Sequence, residues 1–179
     1  MTTTIDQSRA EAYVFTFKEG LLSPMAHDLR VKVGRWSITW DAAERTIDAR
    51  FESGTLVVDS VMREGQPAAG VLAERDRQKI AQTIKDDVLA ATRHPEIRVR
   101  ASAVGALPGR VTAELELNGR RRPVVIDVQK VGDTYVAEAV VHQPDWGVKP
   151  YSAMLGTLKI KPDVRVQVRV AAALVEEDV

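Results

Sequence analysis

Apolar and polar residues alternate with period two through most of this chain, and one stretch breaks that rule. From Glu74 to Ala91 the apolar residues Ile80, Ile84 and Val88 recur every four positions, with Leu89 beside them. That stripe predicts one amphipathic helix over residues 74–91. Asp76 stands near its start, where a carboxylate opposes the positive end of the helix dipole. Pro95 follows the last periodic residue and cannot continue a helix.

The remaining pattern predicts strands. Glu11–Lys18 carries Tyr13, Phe15 and Phe17 on one face, and Gly20–Pro24 breaks it. Asp28–Trp40 changes phase midway: Leu29, Val31 and Val33 are odd, whereas Trp36, Ile38 and Trp40 are even. A face cannot flip inside a strand without an extra residue or a bend, so a bulge or sharp bend is expected at Gly34. Further strands are predicted at 46–52, 55–61, 97–103, 110–117, 120–129, 133–142, 152–159 and 164–172. Asn118-Gly119 joins two of them and favours a type I′ hairpin turn. Residues 1–10 are expected to be disordered, residues 11–173 to form one domain, and residues 174–179 a tail. About eight antiparallel strands with one helix must hide their edges, which points to a closed, mainly β barrel.

Composition narrows the function classes. The chain has 179 residues, 45% of them hydrophobic and 28% charged, as in an ordinary globular domain. Lys+Arg and Asp+Glu each number 25, so no global field favours nucleic acid or an anionic partner. There is no Cys, hence no disulfide, thiolate nucleophile or thiolate metal site. The polar N-terminus reads as lacking a signal peptide, and no run reaches the length of a membrane helix, so a cytoplasmic protein without membrane insertion is expected.

Catalytic motifs are absent: no Gly-x-Ser-x-Gly, phosphate loop or dinucleotide fingerprint. Asp86 and Asp87 are neighbours on the helix, about 100° apart, and read as a solvated face rather than a shared-proton dyad. His27, His94 and His142 lie far apart without metal-ligand spacing. No cofactor, metal or catalytic group is expected.

Several segments together resemble the YceI-like, polyisoprenoid-binding family. They are Arg75-Asp76, His94-Pro95-Glu96-Ile97, the Leu115–Val124 hairpin, Asp145-Trp146-Gly147, His27-Asp28-Leu29 and Lys149-Pro150-Tyr151-Ser152-Ala153. The order and spacing agree from about residue 11 to 172. The chain departs at Gln143, where many members have Arg, and at Ala26, where many have Gly. The resemblance implies a lipocalin-like antiparallel barrel with an apolar cavity for an isoprenoid or similar amphiphile.

On that reading Phe15, Phe17, Trp36, Trp40, Trp146, Tyr151 and Met154 are candidate tunnel residues, with Leu29, Val31 and Ile38 from the second strand and Ile84 and Val88 from the helix. His27, Gln143 and Tyr151 are the candidate polar contacts. The expected partner is a long apolar small molecule, bound without chemistry; a homodimer is left open. Two alternatives also stay open: a filled barrel that acts through its surface, and a small-molecule enzyme.

Overall fold

The computed structural model describes residues 2–19, 26–156 and 158–176. The break expected at Gly20–Pro24 lies outside the described residues, as does the side chain of Met154. In chain order the strands are β1 (Thr2–Asp6), β2 (Glu11–Thr16), β3 (Lys18–Glu19), β4 (Asp28–Val33), β5 (Trp36–Asp41), β6 (Thr46–Glu52), β7 (Leu56–Arg63) and β8 (Gln66–Ala68). Helix α1 (Glu74–Thr83) follows. Then come β9 (Glu96–Ala101), β10 (Gly109–Leu117), β11 (Arg120–Val131), β12 (Thr134–His142), β13 (Ser152–Ala153), β14 (Leu158–Ile160), β15 (Asp163–Ala171) and the short α2 (Ala173–Glu176).

Neighbouring strands are antiparallel throughout. The main sheet runs β1-β5-β6-β9-β10-β11-β12-β15-β2-β4-β7-β8. Its two ends are joined covalently, because β5 continues β4 across Gly34-Arg35 and β7 continues β6 across the single turn Ser53–Thr55. The β4–β5 ribbon therefore pairs with the β6–β7 ribbon along its length, β5 with β6 and β4 with β7, while β4 also pairs with β2, and the sheet curls into a barrel of eight long strands. Among the described residues the two ribbons close the ring, and only the flanking strands β1 and β8 of this sheet have a single neighbour, so few backbone amides are left unpaired at an edge.

The phase change falls at Gly34. Leu29, Val31 and Val33 face inward before it, and Ile38 and Trp40 after it. Gly34 donates its amide to the Thr55 carbonyl at 3.0 Å, so the two kinked ribbons touch where each bends. A second irregularity sits in the β4–β7 ladder between Arg30 and Val31, where the register shifts by one. The Asn118-Gly119 turn has positive φ at both residues, 52° and 71°, as a type I′ hairpin requires.

The helix differs from the expected span. It is α-helical from Glu74 to Thr83 and continues as a wider π-helical turn over Ile84–Val88, where Leu89 donates to the Ile84 carbonyl at 2.9 Å. It ends there, short of Ala91, because Ala90 takes φ 46° and the chain turns away. The wider turn shifts the stripe enough to keep Ile84, Val88 and Leu89 all directed at the barrel interior.

Both termini also differ from expectation. Thr2–Asp6 is not loose but pairs with β5 from Thr2↔Asp41 to Asp6↔Ser37, with Ile5 buried against Trp36 and Val33. Alternating Ile5 and its polar neighbours give this strand one apolar side chain that packs, which the polar composition of the segment concealed. At the other end, Ala173–Glu176 forms α2, which runs from the last residue of the expected domain into the segment 174–179 expected to be a tail.

A cavity inside the barrel

Inward positions along the strands are almost all aliphatic. On β15 they are Val164, Val166, Val168 and Val170; opposite them on β12 stand Val141, Ala139, Ala137 and Tyr135. These side chains do not meet across the barrel. They enclose a cavity of about 880 Å³, within the range of small-molecule sites and large beside the water-sized voids of an ordinary core.

Each end of the cavity has its own closure. At one end α1 lies over β7, and Ile80 and Ile84 pack against Leu29, Val31, Val58 and Val61. Beside it the small sheet β13-β14-β3 covers the ends of β2 and β12, contributing Tyr151, Leu158 and Ile160 to the wall. At the other end α2 places Val175 in the wall. Glu176 fixes α2 by accepting from the Tyr135 hydroxyl at 2.9 Å and the Lys130 ammonium at 2.6 Å. Those bonds hold the Glu176 carboxyl below its ordinary pKa, the Lys130 contact being the larger cause. They raise Tyr135 and Lys130 for the same reason, seen from the other partner.

The structure sorts the residues singled out from the sequence. Leu29, Val31, Ile38, Trp40, Ile84, Val88, His27, Gln143 and Tyr151 all line the cavity. The polar three sit at the helix end. Gln143 is buried, and its Nε2 donates to the Lys161 and Pro162 carbonyls, both at 3.3 Å. His27 is half-buried beside Ala26, and no hydrogen bond to its ring is formed among the described residues.

Four aromatic residues are not in the wall, and each has a physical reason. Phe15 is on the outer face of β2: it pairs with Arg30 and Arg165, and the Arg165 guanidinium lies 4.6 Å from its ring. Tyr13 shares the parity of Phe15, with Arg30 4.8 Å from its ring, yet it also borders the cavity. The alternate residues Ala12, Val14 and Thr16 of β2 line the cavity beside it. Strand propensity of aromatics says nothing about which face they occupy, and cation–π contacts let them pack outside. Phe17 lies past the end of β2, where its carbonyl accepts from Lys161 at 2.8 Å.

Trp36 stacks on Phe51 at 6.1 Å within the cluster of Ile5, Ala12, Val33 and Val170, packed rather than facing the void. Trp146 is 4% exposed under the Asn118 hairpin. Its Nε1 donates to the Leu115 carbonyl at 3.0 Å, and its own carbonyl accepts from Asn118 Nδ2 at 3.1 Å. It joins two loops and does not reach the cavity.

Sequence reading left out Val14, Thr16, Leu72, Lys79, Tyr135 and Val175, all in the wall. The signal for Val14 was the alternation itself, read in the opposite phase. Leu72 and Val175 lie outside any periodic run and carried none. Among the described residues no three His, Asp or Glu side chains stand together as a metal set, and no helix is long and apolar enough to cross a membrane.

Comparison with known proteins agrees with this architecture. A search of curated protein sequences gives no match. Among solved structures, a polyisoprenoid binding domain from Saccharophagus degradans, implicated in plant cell wall breakdown, is similar with a TM-score of 0.57 at 10% identity, covering 95% of this chain and 98% of that one. BcnA from Burkholderia cenocepacia is similar with a TM-score of 0.54 at 13% identity, covering 89% of this chain and 94% of that one. At such identities the likeness is one of fold. The model of the YceI-like domain matches residues 4–172, nearly the whole barrel, and the chain belongs to the YceI-like family.

Proposed function

We propose that this protein binds an apolar, isoprenoid-like molecule inside the barrel and sequesters or carries it without chemical change. The cavity of about 880 Å³ carries the reading. Its wall is built of Val, Ile, Leu and Ala on eight strands and closed by an amphipathic helix, so a hydrocarbon chain gains contact on every side. Each methylene taken from water contributes about 0.8 kcal/mol, and a long tail therefore binds tightly without a single hydrogen bond. A barrel that served only as a surface would fill its interior. The similar Saccharophagus degradans domain is described as polyisoprenoid binding, which supports the same ligand class.

His27, Gln143, Tyr151 and Asp76, Lys79 and Thr83 of α1 bring most of the polar groups of the wall to the helix end, with Tyr135 at the other. We place the head of the ligand there and its tail toward Val175. Residence in the cytoplasm belongs to the same proposal and is checked by cell fractionation.

Native mass spectrometry of gently purified protein, followed by lipid extraction, tests the reading. The expected result is an apolar molecule released on denaturation, or a melting temperature that rises with ligand concentration in a panel of isoprenoids. A protein that arrives empty and is protected by no member of the panel overturns it.

A further inference from the structure

The small sheet that covers the helix end has two different faces. Leu158 and Ile160 point into the cavity, while Lys159 and Lys161 between and beyond them are exposed. Residues 147–161 contain Lys149, Lys159 and Lys161 and no acidic residue, in a chain whose formal net charge is zero. All three lysines are exposed, and none forms an ion pair among the described residues. Some cations of the barrel wall are paired, Arg30, Arg98, Arg121 and Lys130 each having an acidic partner within 3.0 Å, whereas others such as Arg122 and Arg169 are not paired among the described residues. The flap differs in grouping its lysines with no acidic residue in the segment. At the tip of the same segment Leu155 is fully exposed at φ 56°, an apolar side chain held out in water by a backbone conformation that bulky residues rarely adopt. Glu19 on β3 is the one carboxylate in the small sheet.

We propose that this flap is a docking surface for an anionic lipid bilayer. The unpaired lysines match a negatively charged headgroup layer, and Leu155 inserts among the acyl chains beneath it. The proposal deepens the cavity reading, since a ligand insoluble in water must pass between bilayer and barrel. Docking sets the covering strands, whose inner residues touch the ligand, directly on the lipid.

Sedimentation with vesicles tests the surface alone, whatever the cavity holds. Vesicles of phosphatidylcholine with about one-third phosphatidylglycerol should bind the protein at low ionic strength, and binding should weaken as salt is added. Phosphatidylcholine alone should bind it poorly. The triple substitution Lys149→Glu, Lys159→Glu, Lys161→Glu should reduce partitioning on the order of a hundredfold, and Leu155→Asp alone by about fivefold or more. All four side chains are exposed, so folding should be retained, checked by circular dichroism. Arg110→Glu, on an exposed wall residue whose partner Asp127 is 4.0 Å away, should leave partitioning unchanged. Absence of binding to the anionic vesicles, or equal binding by the triple variant, overturns the proposal. Either result leaves the ligand analysis by mass spectrometry standing or falling by itself.

Discussion

A Cβ atom on Gly34 would stand 2.7 Å from the carbonyl oxygen of Thr55, the same oxygen that accepts the Gly34 amide. The two kinked ribbons cross here at backbone contact, so glycine is required by space rather than by φ. Gly34→Ala must push the ribbons apart or break that hydrogen bond. It should destabilise the protein by about 1–3 kcal/mol. A urea midpoint that falls at unchanged slope is the expected readout; an unshifted midpoint would show that the ribbons separate freely.

Ala137 faces the cavity from β12, between Val128 and Val168. Ala137→Phe adds a ring where the wall has room, so the free protein should keep its stability or gain up to about 1 kcal/mol. Uptake of an isoprenoid should fall by at least tenfold. Loss of fold would mean the side chain finds no space, and unchanged uptake would place the ligand elsewhere.

Trp36 carries an indole N–H that is buried and unpartnered. Trp36→Phe removes this unmet donor and keeps most of the stacking on Phe51. The expected loss is within about 1 kcal/mol, against about 3–5 for Trp36→Ala. Because the ring packs outside the cavity wall, neither variant should change ligand affinity beyond what its stability loss explains. Selective loss of binding in folded Trp36→Phe would return this residue to the site.

The Glu176 contacts give the floor of the barrel a pH dependence. The folded carboxyl lies below its ordinary value of 4.5, so its contribution is complete above that value and is lost as pH falls through the folded pKa. Lys130 is raised, so its share is lost only as pH rises through its folded pKa, above 10.5. Between these limits the contacts hold. Protection against amide exchange at Val175 and Glu176, which both donate to the Ala172 carbonyl, should fall on acidification once the intrinsic pH dependence is divided out, and should be low at every pH in Glu176→Gln.

Legibility from sequence followed the physics of each signal. The Gly34 phase change and the Asn118-Gly119 turn were readable because each rests on a local rule: period two and positive φ. The helix stripe was readable for the same reason, but its π-helical end was not, since the one-residue widening depends on how Val88 and Leu89 meet the barrel. Phe15 and Trp146 were misplaced because a buried aromatic looks the same whether it faces a cavity, an arginine or a neighbouring loop. The cavity itself depends on inward side chains failing to meet across the barrel, a distance that no single strand encodes.

The ring is completed by β2 and β15, which pair from Phe15↔Arg165 to Glu11↔Arg169. A strand near residue 11 thus waits for a partner about 150 residues later in the chain. Until β15 has left the ribosome, the growing chain is an open ribbon with an apolar concave side and an unpaired edge, exposed to whatever lies nearby. The cavity comes into existence only once β15 is available, in one closing event between distant parts of the chain.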